Sequence, residues 1–275
     1  MLNEIFLKLG IEYFSVLDYR HVRETAEHIR RRAGITPRSV IVYIIPYFGG
    51  ACENISKYAA AGDYHIVARE IGQSVIEELR KKFPELNARA FGDHSPIDER
   101  HAALISGLGI AGDNGLLINE KYGSYIFIGD IVTDIPPEEL SAAEPAKIKR
   151  CEGCGACRKA CPTGVLRGEC GACLSAITQK KGELSSDEAE LMRRCNTVWG
   201  CDICQDVCPH NSSPKITPIK FFTENRITAL TKECLDSLSD EALSERAFGW
   251  RGREVLRRNI AILAGKDEKE KPSNY

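Results

Sequence analysis

The residues of this chain best suited to chemistry are cysteines, and their spacing is typical of iron–sulfur sites. Ten of the twelve cysteines lie between positions 151 and 208. The group opens with the pattern C-x2-C-x2-C-x3-C-P, formed by Cys151, Cys154, Cys157, Cys161 and Pro162. This spacing is typical of paired [4Fe–4S] clusters: three thiolates lie on one tight loop, and the fourth cysteine binds the other cluster.

A second, incomplete copy of the pattern follows. It consists of Cys201, Cys204 and Cys208-Pro209, and its first position falls on Val198. One ligand must therefore come from elsewhere, and the residues leave three candidates: Cys170, Cys173 and Cys195. The crossing rule predicts one cluster on Cys151, Cys154, Cys157 and Cys208 and another on Cys161, Cys201, Cys204 and one of those three.

Two other interpretations of the cysteines are weaker. A zinc site needs only four ligands, usually in two C-x2-C pairs, and would leave the extra thiols and both Cys-Pro pairs unexplained. Disulfides require an oxidising compartment, and we find no export signal at the N-terminus. The two remaining cysteines, Cys52 and Cys234, are expected to be small buried hydrophobic residues.

Composition predicts a cytoplasmic globular protein. The 275 residues carry a formal net charge of -2, so there is no overall attraction to nucleic acid. The longest apolar stretch, 40–47, is too short to span a bilayer and contains Pro46.

Helical and strand patterns alternate through residues 1–140, which predicts an α+β fold with helices covering a sheet. Helical periodicity covers 3–9, 22–32, 66–83 and 98–106. Strand-like stretches cover 13–17, 39–47, 88–91, 115–118 and 122–133.

The rest of the chain is predicted to be helical around the cluster motifs. Ser185 and Glu188 match a capping box that opens a helix ending near Cys195. Further helices are predicted over 235–247 and 252–264. The domain prediction is 1–140 for an α/β domain, 141–215 for the double-cluster domain with a helical insert, 216–265 for a C-terminal helical segment and 266–275 for a charged tail.

Two motifs outside the cysteine region invite functional interpretations. Gly107-Leu-Gly109-Ile-Ala-Gly112 matches G-x-G-x-x-G, but a helix precedes it and a strand follows. A dinucleotide site needs the reverse order, so we predict a helix-to-strand turn instead. Asp93, in Asp93-His94-Ser95-Pro96, could be a general acid, although an Asp at this place is more often a turn former or helix cap.

The chain resembles the cobalamin-dependent epoxyqueuosine reductases of the queuosine tRNA-modification pathway over nearly its whole length. The segments that carry the resemblance are Tyr58-Ala-Ala-Ala-Gly-Asp63-Tyr64-His65, Asp93-His-Ser-Pro-Ile-Asp-Glu-Arg100, Gly107-Leu-Gly-Ile-Ala-Gly-Asp-Asn114, Leu116-Leu-Ile118, Gly123-Ser-Tyr-Ile-Phe-Ile-Gly-Asp130 with Thr133-Asp134, and Gly200-Cys-Asp-Ile-Cys-Gln-Asp-Val-Cys-Pro-His-Asn211.

The resemblance implies a fold, two kinds of cofactor and a set of site residues. It implies an N-terminal cobalamin-binding α/β domain with a mixed sheet like that of reductive dehalogenases, followed by a ferredoxin-like double-cluster domain and short C-terminal helices. It implies base-off cobalamin without a protein imidazole ligand, and Cys173 as the eighth cluster ligand. The implied cobalamin contacts are Tyr64, Asp93, Asn114, Leu117, Ser124 and Ile128, although Leu117 and Ile128 equally fit a strand core.

The resemblance also assigns a mechanism. Electrons pass through the clusters to cobalt, which becomes a nucleophile, and the epoxide oxygen is removed to leave an alkene. Asp93 matches the proton donor, and we expect burial against the corrin to raise its pKa.

The implied partners are tRNA and an external electron donor such as flavodoxin or ferredoxin. Three departures bear on tRNA: the match ends soon after 251–259, short of the family's helical-repeat domain, and Gly62 and Asp113 replace two cations. The alternatives are a different small-molecule or corrinoid substrate, or a ferredoxin-like electron carrier without cobalamin.

Overall fold

The computed structural model describes residues 1–25 and 34–265, which form two compact units. The first unit comprises 1–48, 64–154 and 209–220, and the second comprises 49–63, 155–208 and the chain from 221 onward. Both units are assembled from separated segments, whereas the domain prediction used consecutive ones. The predicted helix over 22–32 and the charged tail 266–275 lie largely or wholly outside the described residues.

The first unit is a sheet with helices on its faces. Its helices are α1 (Leu2–Lys8), α2 (Tyr64–Lys82) and α3 (Glu99–Ile105), and its strands are β1 (Phe14–Asp18), β2 (Ser39–Pro46), β3 (Ala88–Phe91), β4 (Ile110–Ala111), β5 (Leu117–Ile118) and β6 (Ile126–Thr133). The main sheet has the order β1-β2-β6-β3, and β4 pairs with β5 in a small second sheet.

The α+β class is confirmed, but the predicted mixed sheet is wrong. The pairings β1–β2, β2–β6 and β3–β6 are all antiparallel. All eight residues of β2 are buried, in accordance with its apolar sequence. A continuous apolar run indicates burial on both faces, but it does not reveal the direction of the neighbouring strands.

Helix α3 and the strands share one hydrophobic core. Val42 and Ile44 of β2 pack in the same cluster as Ala102 and Ala103 of α3, and all four side chains are almost fully buried. The helix begins at Asp98, whose carboxylate accepts a hydrogen bond from the His101 N–H at 2.8 Å. Packing and capping together hold the start of α3 against the sheet.

The glycine-rich segment after α3 is the predicted helix-to-strand turn. Helix α3 precedes it and β4 begins at Ile110. Gly107 adopts φ +71°, in the left-handed region that favours glycine. The dinucleotide interpretation of this motif fails because the strand–turn–helix order is absent from the segment.

The second unit is helical. Its helices are α4 (Ala156–Ala160), α5 (Leu174–Thr178), α6 (Ser186–Arg194), α7 (Ile203–Asp206), α8 (Lys232–Ser237), α9 (Asp240–Ser244) and α10 (Arg253–Leu263). The capping box at Ser185 is confirmed, since Ser185 Oγ accepts from the Glu188 N–H and the Glu188 carboxylate accepts from the Ser185 N–H. The single helix predicted over 235–247 is divided in two, because Ser239 caps a new helix.

Arginines near the C-terminus anchor this unit. Arg253 donates to the carbonyls of Leu235 and Leu238, at 2.6 and 2.8 Å. Arg257 forms an ion pair with Asp236, and Arg258 donates to the Lys180 carbonyl at 2.7 Å. The basic run is therefore largely engaged within the unit. No helix among residues 1–25 and 34–265 is long and apolar enough to cross a bilayer.

Candidate active site

A cavity of about 260 Å³ in the first unit collects most of the predicted cobalamin contacts. It is lined by side chains from α2, the β3–α3 loop, α3, β5 and β6, among them Tyr64, Asp93, Leu117, Ser124 and Ile128. Asn114 is not in the lining, but the next three residues are. Its Oδ1 accepts from the Leu116 N–H at 3.2 Å, and its buried Nδ2 has no hydrogen-bond partner among the described residues.

One wall of the cavity is flat and aromatic. The ring of Tyr64, at the start of α2, stacks on Phe127 of β6 with centroids 4.1 Å apart and ring planes 13° apart. Leu117 and Ile128 add aliphatic surface, and both also pack in the core cluster. Strand packing and a cofactor contact are compatible for these two residues, because each has one side in the core and one in the cavity.

The loop that carries Ser124 is fixed by Asn211. The Asn211 side chain accepts from the Ser124 N–H at 2.9 Å and donates to Ser124 Oγ at 2.8 Å. Gly123 has φ +59°, and a Cβ there would lie 1.8 Å from Asn211 Oδ1. Only glycine therefore permits this close approach.

Asp93 is more exposed than the sequence suggested. Its side chain is 47% exposed, His65 Nε2 lies 3.6 Å from Asp93 Oδ2, and the His94 N–H donates to Asp93 Oδ1 at 2.8 Å. The interaction with His65 lowers the pKa of Asp93, and the His94 N–H lowers it further against the opposing effect of burial. The predicted rise in this pKa refers to burial against the corrin, and it stays a prediction.

Two other carboxyl groups near Asp93 carry the raised pKa values. Glu99 lines the cavity, and burial followed by the charge of Asp93 raises its pKa to about 7. Asp130 of β6 is fully buried, and burial followed by the charge of Glu99 raises its pKa well above the ordinary value. Sequence reasoning missed both, although an Asp within the apolar run of β6 was a detectable signal.

Five of the predicted cluster cysteines interact electrostatically within the second unit. Burial raises the pKa of Cys201 to about 12. The hydrogen bond from the Ile203 N–H opposes this rise, and the charges of Cys173 and Cys204 add to it. Burial and then the charge of Cys173 raise the pKa of Cys204 to about 11, with Cys157 and Cys161 contributing. For Cys161, hydrogen bonds to backbone N–H groups outweigh burial and lower the pKa. Metal binding would displace protons from the raised thiols.

A buried charge network holds the segment of Cys201 and Cys204 at the start of α7. Asp202 accepts hydrogen bonds from the Ser56 hydroxyl and from the Lys57 N–H, the latter at 2.7 Å. Lys57 Nζ lies 3.5 Å from Asp202 and 2.6 Å from Asp206. Sequence analysis did not identify this network, because its partners are about 145 positions apart.

The four cysteines predicted to bind the other cluster are divided between the two units. Cys151 and Cys154 belong to the first unit, and Cys157 and Cys208 belong to the second. Of the spare cysteines, Cys170 is exposed, whereas Cys195 lines a cavity of about 100 Å³ together with Cys52 and Cys201.

A single metal ion has no site among the described residues. No three His, Cys, Asp or Glu side chains converge closely enough there to share one ion. A [4Fe–4S] cluster instead spreads four thiolates over several irons, so its ligands stand further apart.

Known proteins match both the cysteine-rich segment and most of the rest of the chain. A family described as "4Fe-4S double cluster binding domain" matches residues 150–211. The epoxyqueuosine reductase of Leadbetterella byssophila is 33% identical over 242 residues, which cover 82% of this chain and 77% of that protein. The epoxyqueuosine reductase of Lactococcus garvieae is 31% identical, over 74% of this chain and 59% of its own length.

A solved structure has the same fold. An epoxyqueuosine reductase crystallised with an epoxyqueuosine-modified tRNA-Tyr stem loop superposes with a TM-score of 0.78 at 21% identity, over 96% of this chain and 80% of that one. Because the two sequences are only 21% identical, this similarity shows a shared fold and no more.

The α+β fold and the double-cluster segment define an iron–sulfur oxidoreductase. Within that class, the relationship to the Leadbetterella protein is close and extensive enough to assign a family. The chain belongs to the epoxyqueuosine reductase family.

Proposed function

We propose that this protein is a cobalamin- and iron–sulfur-dependent reductase that converts epoxyqueuosine in tRNA to queuosine. The observation that carries the proposal is the cavity beside Asp93. Residues distant in sequence that the family resemblance assigns to cobalamin, including Tyr64, Leu117, Ser124 and Ile128, line this one cavity. Family membership supports the reductase and argues against an electron carrier without cobalamin.

The cavity lining suits a corrin. The stacked rings of Tyr64 and Phe127 contribute aromatic surface to the lining, and Asn114 Nδ2 is a buried donor without a partner among the described residues. Cobalamin, when bound, supplies a low-valent cobalt nucleophile. The chain's own residues hold the ring, exclude water from its face and provide protons.

Asp93 is the proposed proton donor to the departing oxygen. It lines the cavity and its carboxylate is reachable, since about half of the side chain is exposed. An occupant of the cavity would displace water from this carboxyl, and desolvation would raise its pKa toward the working pH.

The cluster ligands are proposed as two sets. Cys161, Cys173, Cys201 and Cys204 would bind one [4Fe–4S] cluster, a choice supported by the electrostatic interaction of Cys173 with Cys201 and Cys204. Cys151, Cys154, Cys157 and Cys208 would bind the other. A small external donor such as flavodoxin or ferredoxin would reduce them, and a cytoplasmic location would suit both this donor and tRNA.

Anaerobic reconstitution tests the proposal. The purified chain is loaded with iron, sulfide and cobalamin, desalted, and mixed with reductant and a tRNA stem loop that carries epoxyqueuosine. We expect about eight irons per chain, a corrin absorption spectrum and formation of queuosine. Absence of the corrin spectrum would reject the cobalamin reductase, and bound cobalamin without queuosine would reject the substrate.

A second candidate keeps the cofactors and changes the substrate to a small molecule or a corrinoid protein. The observation that favours it is the engagement of Arg253 and Arg258 in hydrogen bonds within the second unit, which leaves fewer cations for phosphates. Testing the free epoxyqueuosine nucleoside beside the tRNA stem loop separates these substrates.

A further inference from the structure

The reaction needs more protons than Asp93 alone can supply. Removing an epoxide oxygen breaks two C–O bonds, forms one C=C bond and releases the oxygen as water. The balance requires two electrons, which the external donor supplies through the clusters, and two protons. One carboxyl group gives one proton, so a second proton must reach the same place before the water can leave.

Glu99 and Asp130 are two largely buried carboxyl groups that interact electrostatically. Glu99 lines the cavity that Asp93 lines. Glu99 Oε1 and Asp130 Oδ1 are buried, and neither has a hydrogen-bond partner among residues 1–25 and 34–265. Unpaired buried carboxyl oxygens are costly unless the group is protonated or functional.

Ser95 connects the two acids. Its hydroxyl donates to Asp130 Oδ2 at 3.0 Å, and its backbone N–H donates to Glu99. Ser95 lies two residues after Asp93 and is 3% exposed. The loop that carries Asp93, the proposed proton donor, therefore also holds Glu99 and Asp130 through Ser95.

The charges around Glu99 favour retention of a proton. Asp93 and Asp98 raise its pKa from the β3–α3 loop and helix cap, while His65 of α2 and the Ser95 N–H lower it less than burial raises it. The remaining neighbours are Asp130 on β6, Tyr43 on β2 and Arg100 in the cavity lining. Glu99 and Asp130 do not both ionise, because the charge of one buried carboxyl group raises the pKa of the other.

We propose that Glu99 is a proton-supplying residue, which passes the second proton of the reaction to Asp93. In this step an O–H bond of Glu99 breaks and an O–H bond of Asp93 forms. Solvent reprotonates Glu99 before the next turnover. This inference rests on the proposed function.

Glu99→Gln tests it in the reconstituted protein, because the amide keeps the shape of the side chain and cannot give up the proton. Infrared difference spectra recorded from pH 5 to pH 9 should show a protonated carboxyl band that disappears near pH 7. We expect Glu99→Gln to lose this band, and the exposed Glu85→Gln to retain it.

Turnover provides the second measurement. With iron and cobalamin contents equal to wild type, Glu99→Gln should lower kcat by about 100-fold and leave KM within about twofold. The decline of the wild-type rate above pH 7 should also disappear. Glu99→Asp retains a carboxyl group and should recover part of kcat, which guards against a variant that folds poorly.

Two results would overturn the inference: a Glu99→Gln variant with wild-type kcat at every pH, or one that keeps the carboxyl band that titrates near pH 7. A wild-type protein that binds both cofactors but converts no epoxyqueuosine would instead refute the proposed function. The infrared titration would still decide whether Glu99 stores a proton.

Discussion

At the scale of residues, two carboxyl groups that line the cavity and a third that is buried in the sheet behave differently because their surroundings differ. Asp93 is half exposed and lies beside His65, which lowers its pKa. Glu99 is more buried and its pKa is about 7, while Asp130 is fully buried on a central strand. This gradient of burial suits the proposed roles of Asp93 as the proton donor and of Glu99 as its proton supply.

Asp93→Asn should abolish most of the turnover without loss of cofactors. The amide cannot donate the proton to the departing oxygen, so we expect kcat to fall by about 100-fold or more. Iron content and the corrin spectrum should match wild type and Glu85→Gln. Full turnover by Asp93→Asn with cobalamin bound would contradict the role of this residue.

Glu99 should make the stability of the protein depend on pH. Its folded pKa of about 7 lies above the ordinary value of 4.5, so its stabilising contribution is complete below about pH 4.5 and is lost as the pH rises through 7. Anaerobic urea unfolding should show wild type losing about 2–3 kcal/mol more than Glu99→Gln between pH 5 and pH 8. Parallel profiles of the two proteins would show that Glu99 has an ordinary pKa.

At the scale of elements, short loops position the site. The loop before α5 carries Cys173, the loop before α7 carries Cys201, and Cys204 lies in the first turn of α7, next to the network of Asp202 and Lys57. In the first unit, the short 3₁₀ helix Pro209–Asn211 holds the Ser124 loop. Small rigid connections rather than long helices therefore decide where the functional side chains lie.

Cys173→Ala should remove one cluster. We expect iron to fall from about eight to about four per chain, because a cubane missing one thiolate is labile. Cys170→Ala and Cys195→Ala serve as matched controls and should keep the iron content of wild type. Loss of iron in either control, with none in Cys173→Ala, would reassign the eighth ligand.

Asn211→Ala should weaken cobalamin binding. The buried N–H and hydroxyl of Ser124 would lose their partners, at a cost of about 1–3 kcal/mol. If half of that cost appears in binding, the Kd for cobalamin rises by roughly twofold to tenfold. The neighbouring exposed Ser212→Ala should bind as wild type does, and an unchanged Kd for Asn211→Ala would exclude Asn211 as a support of the site.

At the scale of the whole molecule, the protein should attract RNA only weakly. Its net charge is -2, and arginines such as Arg253 are engaged in hydrogen bonds within the protein. Phosphate contacts dominate affinity for nucleic acids and make it depend on salt. We therefore expect the proposed tRNA substrate to make few contacts through its backbone phosphates.

Binding of the epoxyqueuosine stem loop should depend only modestly on salt. With about two or three phosphate contacts, we expect affinity to fall by roughly tenfold to fiftyfold between 50 and 200 mM salt. Fluorescence anisotropy with an unmodified stem loop as control measures this slope. A thousandfold loss would indicate a basic surface of six or more contacts.

The sequence by itself determined the local features: the cysteine spacing, the capping box at Ser185, the helix-to-strand turn at Gly107 and the α+β class. Each depends on residues close together in the chain, where periodicity and spacing act directly. The candidate contacts Tyr64 and Ser124 came from family resemblance, not from local pattern.

Only the tertiary structure decided what depends on distant residues. The antiparallel sheet, the contact of Asn211 with Ser124 and the network of Asp202 with Lys57 join positions far apart in the chain. The same holds for proton affinity: burial beside β6, not the identity of the residue, raises the pKa of Glu99. Desolvation and charge proximity are properties of the folded arrangement, so no local pattern contains them.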